Sequence, residues 1–503
     1  MSSLTKQQHG WLSFQAVDVR MVASGRCHIV VVARTNQVYS CWETNTDELS
    51  DSRLPSTPGA CDQDIETTLG RSINADNGAG YVQDTALHPV LVEIDGMDAL
   101  ESPIVKIVCS DSATFLLTEA GDLWGWGCFE DLSGNKVGLL HQESASRPIQ
   151  ICSHSQSIKD VVCGKNHVLI LNAAGDVISW GSNEYGQLAR LRTPSHSPLL
   201  SGEAAFDLSP HFVENLPVNI LGIGANKTGS FAWDQDHLYA WGDNTFGQLG
   251  YESTMSSTSR RWKQSISSTG TREGQEIVGV PRSVALHWKG RSIKQVLGGL
   301  RHTVILSNSG LIITMGDNEF GQLGATARST ASTAMLSSGS TSPLYPSHSH
   351  HLGHSPLSSP SSLSMNFEGH ISSSSDISGD GISSSGSSRF RSRRLNPTLI
   401  NVGLRVKEIS CGDFHTVICC ESGQMYTWGQ GFEGILAIHN VSSVKQQQQQ
   451  QREGVPPLEI MDDGSMPPRT VHFDSPSAWG KARKVVSVST MRYGVSLALV
   501  SSV

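Results

Sequence analysis

The feature that most constrains this chain is a segment that recurs along it. Three clear copies begin at Cys163, Gly298 and Cys411. Each has a small residue and Gly, a short gap, His, an apolar run, a turn with Gly, and a second apolar run ending in Trp-Gly or Met-Gly. In the first two copies a polar loop with Gly-Gln-Leu follows. Repetition at intervals of about 50 residues or more indicates an array of similar structural units.

Seven positions can be aligned as the anchor of a unit, which is the small residue three places before the His or its replacement. These anchors are Gly25, Ser110, Gly164, Gly224, Gly299, Gly412 and Ser489. Apolar residues around them alternate or cluster over four to eight positions between Gly and Asn, which is typical of short strands. The tight turn between two such strands needs a residue that tolerates positive φ, and Gly stands there in four units. We therefore predict an all-β fold, a single seven-bladed β-propeller over residues 11–503 with long loop insertions.

Large aromatic and histidine side chains recur at fixed places in the units. Tryptophan ends the second apolar run at Trp126, Trp180, Trp241 and Trp428. A large ring at this place suits packing between neighbouring sheets. Histidine follows the anchor at His28, His167, His302 and His415. Four equivalent histidines suggest a metal site, but equivalent positions in different blades lie far apart around a ring, so we interpret them as structural. We predict no metal and no other cofactor.

The bulk composition restricts the partners and the compartment. A net charge of −9 argues against direct nucleic-acid binding, which needs clustered Lys and Arg. No secretory signal and no run of about 18 apolar residues is present, so we expect no membrane span. The ten cysteines form no CxxC pair, and a reducing compartment is expected. The prediction is an intracellular protein of the cytoplasm, the nucleus or both, and a monomer.

Two of the insertions between units are polar and repetitive. Residues 328–394 are dominated by Ser, with Gly, Pro and His, and lack the apolar content that offsets the entropy of ordering. We predict that this insertion is disordered. Residues 438–480 contain six consecutive Gln, from Gln446 to Gln451, and are predicted to be a flexible insertion.

The combination of Gly-x-x-His, a Gly turn, Trp-Gly and Gly-Gln-Leu-Gly resembles the regulator of chromosome condensation family. The resemblance covers about Val19 to Leu499 without the insertions. It implies a seven-bladed propeller that binds protein partners across one face. The family's best-defined activity is that of an exchange factor, which releases guanine nucleotide from the small GTPase Ran.

The unit anchored at Ser110 departs from the repeat after Trp126-Gly127, where it reads CFEDLSGNKVGLL. In the family's exchange factor the corresponding blade carries a protruding β-wedge that presses on the GTPase near its nucleotide. The resemblance therefore makes residues 129–140 a candidate wedge. Its candidate GTPase contacts are Phe129, Glu130, Asp131, Ser133, Gly134, Asn135 and Lys136.

Further positions that match exchange-factor residues give a mixed result. Asp111 matches an Asp after the anchor of this blade, whereas Asn166 stands where the family has an Asp. Arg301-His302 stands where the family has a pair of histidines, so the first histidine is replaced and the second is kept. We include Asp111, Asn166, Arg301 and His302 as candidate GTPase contacts.

Two hypotheses remain open after this comparison. The chain contains no P-loop, no Gly-x-Ser-x-Gly, no HExxH and no paired-carboxylate signature, so enzymatic activity of an ordinary kind is not indicated. The first hypothesis is an interaction propeller whose long loops select a partner protein, which it regulates. The second is a guanine-nucleotide exchange factor for a Ran-like GTPase.

Overall fold

The structure is a computed structural model of the chain. It describes residues 18–26, 28–42, 90–94, 102–131, 134–141, 144–153, 157–190, 206–251, 276–286, 292–324, 394–400, 402–430, 469–470, 483–490 and 496–502. These residues form 28 strands and no helix.

The first three units are four-stranded antiparallel sheets. Unit 1 consists of β1 (Val19–Ser24), β2 (His28–Ala33), β3 (Val38–Trp42) and β4 (Val90–Leu91). Unit 2 consists of β5 (Ile104–Cys109), β6 (Ala113–Thr118), β7 (Leu123–Gly127) and β10 (Ala145–Cys152), and between its last two strands lies a hairpin of β8 (Phe129–Glu130) and β9 (Lys136–Gly138). Unit 3 consists of β11 (Ile158–Cys163), β12 (His167–Asn172), β13 (Val177–Ser182) and β14 (Phe206–Phe212).

The remaining units continue this pattern. Unit 4 consists of β15 (Gly222–Ala225), β16 (Gly229–Trp233), β17 (Leu238–Asp243) and β18 (Ile277–Val284). Unit 5 consists of β19 (Ile293–Gly298), β20 (His302–Ser307), β21 (Ile312–Gly316) and β22 (Arg394–Ile400), and a parallel pairing of Ala225 with Leu297 joins it to unit 4. Unit 6 consists of β23 (Val406–Cys411), β24 (His415–Cys420), β25 (Met425–Gly429) and β26 (Arg469–Thr470). The described part of unit 7 is the pair β27 (Arg483–Thr490) and β28 (Ser496–Ser502).

The first strands of the units follow one another around a ring. β1 lies beside β5, and the sequence continues through β11, β15, β19 and β23 to β27, which lies beside β1 again. Hydroxyl groups join unit 7 to both neighbours: Ser24 and Ser489 are 2.7 Å apart, and Ser410 and Thr490 are 3.0 Å apart. The prediction of an all-β propeller is thus confirmed.

Apolar side chains fill the spaces between successive units. Trp126, Trp180, Trp241 and Trp428 are all fully buried, and the ring of Phe115 in unit 2 meets the ring of Trp180 in unit 3 edge to face at 5.9 Å. The hairpin turns use Gly at positive φ, for example Gly175 at 88°, because a residue with a Cβ is strained there. The repeated Trp and Gly thus have architectural roles.

The strand register changes two of the alignments made from sequence, and in unit 7 the predicted anchor Ser489 lies within β27, before the end of the first strand. His167 lies opposite Gly181 in unit 3. In unit 4 the residue opposite the equivalent Gly242 is Gly229. The anchor of unit 4, three residues earlier, is therefore Asn226 and not Gly224, which lies within β15.

The two predicted insertions and the start of the propeller lie largely outside the described residues. Of residues 328–394 only Arg394 is described, as the first residue of β22. Of residues 438–480 only Arg469 and Thr470 are described, and they pair with β25 as the outer strand of unit 6. Residues 11–17, where the predicted domain begins, are outside the described ranges.

Candidate functional site

The loops that carry the candidate residues meet at one face of the propeller. The anchor follows the first strand of a unit, and in units 3, 4 and 5 the loop with Gly-Gln-Leu follows the third strand. Because successive strands are antiparallel, both loops lie at the same end of the unit. The hairpin β8–β9 also follows the third strand of its unit, so it rises on this end too. We call this end the hairpin face.

A layer of buried histidines joins neighbouring units beneath this face. The Nε2 of His28, His167 and His302 lies 3.0–3.1 Å from a hydroxyl oxygen of the next unit. Those hydroxyl groups belong to Thr114, Ser230 and Thr416. Two of them also donate to a carbonyl of the Gly-Gln-Leu loop, at Gln187 and Gln322. The histidines thus connect units, which is the structural role expected of them.

The histidine ring explains why Gly stands three residues before it. A Cβ on Gly164 would lie 2.0 Å from Cε1 of His167 and 2.7 Å from the carbonyl oxygen of Asn226. No side chain fits between these atoms. Burial lowers the pKa of His167 and His302 to about 3 and that of His28 and His415 to about 4. These rings are therefore neutral near pH 7.

Units 2 and 4 replace both members of this Gly and His pair. In unit 4, Asn226 and Gly229 take their places, and the Asn226 amide donates to the Thr303 hydroxyl of unit 5 at 2.9 Å. In unit 2, Ser110 and Ala113 take their places, and the Ser110 hydroxyl accepts from the Ala113 N–H at 3.0 Å. The facing residue of the next unit is Val168, which offers no hydroxyl group.

The hairpin β8–β9 stands where other units have the Gly-Gln-Leu loop. Leu139 takes the place of the Gln, since its carbonyl accepts from Nε1 of Trp180 at 3.2 Å, as Gln187 accepts from Trp241 at 2.8 Å. Phe129 is fully buried and fixes the base of the hairpin in the core. The hairpin is thus continuous with the packing between units 2 and 3.

The tip of the hairpin is closed by its own hydrogen bonds. The Asp131 carboxylate accepts from the backbone N–H of Asn135 at 2.8 Å and from its side-chain amide at 2.9 Å. Gly134 adopts a φ of 83°, in the left-handed region. Asn135 and Lys136 are exposed, while Ser133 lies outside the described residues. The described part of the tip is therefore an ordered turn that presents an amide and an ammonium group to solvent.

Two neighbouring units hold the base of the hairpin. Arg26 of unit 1 pairs with the Glu130 carboxylate at 2.9 Å. The Asn166 amide of unit 3 donates to the Glu130 carbonyl at 2.6 Å. Asn166 is 7% exposed. The structure therefore places this candidate contact residue under the hairpin, where it positions Glu130.

Asp111 is buried in a second contact that spans units. Its side chain is 2% exposed and accepts from the Lys227 ammonium of unit 4 at 2.8 Å. Its carbonyl accepts from the N–H of Arg26 at 2.9 Å, and its own N–H donates to the Lys165 carbonyl at 3.2 Å. Asp111 thus ties together the inner loops of units 1 to 4.

Arg301 lies across the face from the hairpin, within a cluster of acidic and aromatic side chains. Its guanidinium lies 4.5 Å from the ring centre of Phe246 and 5.3 Å from that of Phe414. It also lies 3.6 Å from carboxylate oxygens of Asp317 and Glu319. His302, directly after it, is fully buried against Thr416. Arg301 and His302 belong to unit 5, whereas the hairpin belongs to unit 2 and is held by contacts from units 1 and 3.

Sequence reasoning missed Arg26 and Lys227 as parts of this site. Both stand directly after an anchor, at the position that Asp111 holds in unit 2. Comparison of that one position across the units shows three cations, Arg26, Lys165 and Lys227, and the structure pairs Arg26 with Glu130 and Lys227 with Asp111. The shifted alignment of unit 4 hid Lys227, because an anchor at Gly224 assigns it the place of the histidine.

The described residues hold no further chemical centre. No group of three or more His, Cys, Asp or Glu side chains within them could hold a metal ion. Burial raises the pKa of Cys109 and Cys411 to about 12, so these thiols stay protonated near pH 7. No helix in the described part of the chain has the length and apolarity to cross a membrane.

Curated proteins with detectable similarity include several propeller proteins. The chain is 29% identical over 268 residues to the ultraviolet-B receptor UVR8 of Arabidopsis thaliana, covering 52% of this chain and 51% of that protein. It is 26% identical over 318 residues to the human Regulator of chromosome condensation, covering 61% of this chain and 62% of that protein. It is also 26% identical to protein pim1 of Schizosaccharomyces pombe, covering 62% of this chain and 50% of that protein. The matched part thus spans about half to three fifths of these relatives.

Solved structures with the same fold support the architecture. Prp20p of Saccharomyces cerevisiae superposes with a TM-score of 0.63 at 16% identity, covering 98% of this chain and 84% of that chain. Its structure is described together with its binding properties to Gsp1p and histones. Human WBSCR16 superposes with a TM-score of 0.55 at 15% identity, covering 97% of this chain and 87% of that chain. At these identities the similarity establishes the fold alone.

The sequence models of protein families give the assignment. The model of the RCC1-like domain matches residues 3–364, and the model of the Regulator of chromosome condensation (RCC1) repeat matches residues 406–435. Since the first match covers well over half of the chain, this protein belongs to the RCC1-like domain family.

Proposed function

We propose that the protein is an interaction propeller that binds a partner protein across the hairpin face and regulates it. The observation that carries this proposal is the hairpin β8–β9, with a buried base and an exposed tip. The proposal includes a location inside the cell, in the cytoplasm or the nucleus.

The way the hairpin is held supports a binding role. Contacts from unit 1 and unit 3 converge on Glu130, and Asp131 closes the turn above it. A loop held this way loses little conformational entropy when a partner binds, and preorganisation of this kind favours affinity. A tolerated surface insertion needs no such support from neighbouring units. The contacts with the partner then fall to Asn135 and Lys136.

Site-specific cross-linking tests this function. A photo-reactive amino acid is placed at Asn135 on the hairpin tip or at Gln235, which is exposed in a turn at the opposite end of unit 4. We expect a discrete adduct with one partner from position 135 that is not formed from position 235. The same adducts from both positions, or none from position 135, would refute binding across this face.

A guanine-nucleotide exchange activity is the second candidate, and the wedge-like form of the hairpin favours it. The hairpin tip would insert near the nucleotide of a Ran-like GTPase and stabilise its nucleotide-free state. Because linkage is reciprocal, a protein that binds the nucleotide-free state more tightly lowers nucleotide affinity by the same factor. In this mechanism Asp111 and Asn166 position the hairpin, and Asn135 and Lys136 contact the GTPase. Arg301 and His302 act across the face from the hairpin in this mechanism.

Release of a fluorescent GDP from Ran tests the exchange activity. We expect acceleration at micromolar concentrations of the protein, and loss of that acceleration when residues 133–136 are deleted. Arg282→Glu, in the outer strand of unit 4, serves as the control and should leave the rate unchanged. No acceleration by the intact protein would exclude exchange on Ran, while the cross-linking result would still decide the interaction role.

A further inference from the structure

The first strands of the units share an irregularity at the face opposite the hairpin. In six of them the pairing register skips one residue near the start of the strand, which marks a β-bulge. In unit 4 the equivalent residue directly precedes β15. In the order of the units, these seven residues are Arg20, Val105, Lys159, Leu221, Lys294, Lys407 and Val486. We call them the bulge ring.

The bulge ring surrounds the axis of the propeller at the face away from the partner site proposed above. The anchors follow the ends of the first strands, whereas the bulges lie near their starts. A first strand runs from one face to the other, so the bulge ring and the hairpin lie on opposite faces. A ligand on one face leaves the other accessible.

The ring combines basic and apolar residues in a chain whose net charge is −9. Four of its seven members are Lys or Arg and three are apolar. Lys159, Lys294 and Lys407 are exposed. Val105 is 49% and Leu221 is 52% exposed, which is high for aliphatic side chains. This face thus presents positive charge interleaved with apolar surface.

Contacts between units keep the basic groups at the level of the ring. The Lys159 ammonium donates to the carbonyl of Leu221 at 3.5 Å, and the Lys294 ammonium donates to the carbonyl of Lys407 at 2.6 Å. Arg20 reaches the carbonyl of Ile104 at 2.6 Å, one residue before Val105. Each of these side chains therefore extends to the next unit around the ring. A carbonyl group orients an ammonium but does not neutralise its charge.

The ionic surroundings of Lys159 and Lys294 can be compared with the carboxylates of this face. None of the ion pairs among the described residues includes either lysine. Acidic residues of this face stand in the turns after the second strands, further from the axis, at Glu119, Asp122, Asp176, Asp234 and Glu421. Positive charge is thus concentrated at the centre and negative charge toward the rim.

We propose that the bulge ring is a second docking surface, for a short acidic peptide segment of a partner protein. Carboxylates of the segment pair with Lys159, Lys294 and Lys407, and its apolar side chains cover Val105 and Leu221. Nucleic acid fits this surface less well because the ring offers no aromatic side chain for base stacking. A long polyanion would also cross the acidic rim. We therefore expect a short segment, because a longer acidic segment would extend over the acidic side chains of the rim and be repelled.

Peptide binding to the whole protein tests this proposal. The probe is a fluorescein-labelled peptide of about 12 residues that alternates Glu pairs with Leu, and its matched control has Gln in place of each Glu. Fluorescence anisotropy at low salt and at high salt reports the affinity. We expect the Glu peptide to bind at least tenfold more tightly than the Gln peptide, with an affinity that falls as salt rises.

Two triple variants separate the ring from overall charge. Lys159→Met, Lys294→Met and Lys407→Met together should weaken binding of the Glu peptide at least tenfold while the unfolding temperature stays within a few degrees. The control replaces Arg34, Arg147 and Arg282, which are exposed outside the bulge ring, with Met, and should bind like the original protein. Equal weakening by both variants, or none by the first, would overturn the proposal. Tighter binding of a single-stranded DNA of equal charge, lost in the first variant, would also overturn it.

Discussion

Units 2 and 3 are neighbours that solve the same packing problem in different ways. In unit 3, His167 lies over Gly164 and reaches the Ser230 hydroxyl of the next unit, and Gln187 accepts from that hydroxyl. In unit 2, Ala113 takes the place of the histidine, and the Ser110 hydroxyl accepts from the Ala113 N–H within its own turn. The loop with Gln is replaced by the hairpin. Unit 2 therefore gives up the polar contact that units 1, 3, 4 and 5 make to the next unit in this layer.

The comparison shows how a repeat can carry a specialised loop. The histidine appears with a hydroxyl group in the next unit, as in His28 with Thr114 and His302 with Thr416. Where the next unit offers Val168 instead, no polar partner is needed and the loop is free to change. The hairpin then restores contacts to both neighbours through Arg26 and Asn166. The repeated histidine and hydroxyl contacts stabilise the ring, whereas the departure from them in unit 2 makes room for the hairpin on the hairpin face.

The largest expected effect is the dependence of stability on pH. The four buried histidines have pKa values of about 3 to 4 in the folded protein, against about 6.5 when unfolded. Their contribution to the free energy of unfolding is complete above pH 6.5. It is lost as the pH falls toward 4, because the histidines of the unfolded chain bind protons at a higher pH than those of the folded protein. At pH 5 each histidine lowers the free energy of unfolding by on the order of 1–2 kcal/mol relative to neutral pH.

Urea unfolding at pH 7.5 and at pH 5 measures this difference. His167→Asn should remove about a quarter of the loss attributed to the four histidines. Ser110→Ala in unit 2, where no histidine is present, should leave the loss unchanged. Equal stability of the original protein at the two pH values would contradict the assignment of neutral buried rings.

The second effect comes from the space between Gly164 and His167. Gly164→Ala should destabilise the fold by about 3 kcal/mol, because the new Cβ meets both the imidazole and a backbone carbonyl. His167→Ala in the same chain imitates unit 2 and should recover part of the loss. Chemical unfolding of the single and double variants measures the coupling. Strictly additive losses would mean that the two positions are independent.

The third effect distinguishes the two substitutes for the glycine anchor. Asn226→Ala removes two hydrogen bonds, one from the side-chain amide to the Thr303 hydroxyl and one from the Thr228 N–H to the side-chain oxygen. It should lower the free energy of unfolding by about 2 kcal/mol. Ser110→Ala removes a bond within one turn and should cost less than about 1 kcal/mol. Thermal unfolding compares the two variants. If Ser110→Ala lowered the unfolding temperature more than Asn226→Ala, the contact from Asn226 to the next unit would not be important for stability.

The smallest effect on global stability concerns the hairpin. Asn166→Ala should change the free energy of unfolding by about 1 kcal/mol, since one hydrogen bond is lost. Hydrogen exchange of the Asp131 N–H, which donates to the Asn135 carbonyl at 2.9 Å, should become faster because the base of the hairpin is loosened. Asn183→Ala, in the regular loop of unit 3, is the matched control. Unchanged exchange in Asn166→Ala would mean that the hairpin is ordered by its own turn.

The sequence predicts the propeller because each unit repeats the same packing problem. Trp-Gly and Gly-x-x-His report local constraints, such as the ring of His167 over Gly164. The candidate site is harder because its contacts join distant positions. Asp111 meets Lys227 116 residues away, and His302 meets Thr416 114 residues away. The sequence near Asp111 or His302 does not identify the residues of other units that these side chains contact.

The hydroxyl contact between Ser24 and Ser489 has a consequence for synthesis of the chain. These residues are 465 positions apart, so the contact cannot form until the residues between them have been synthesised and have left the ribosome. At about 5–20 residues per second this interval lasts roughly 25–90 s. Throughout it, β1 lacks its neighbour β27, and its open side is available to other nascent chains. Chaperone protection of this first strand matters most before the last unit emerges, and a circular permutant that begins within another unit would transfer that exposure to a different strand.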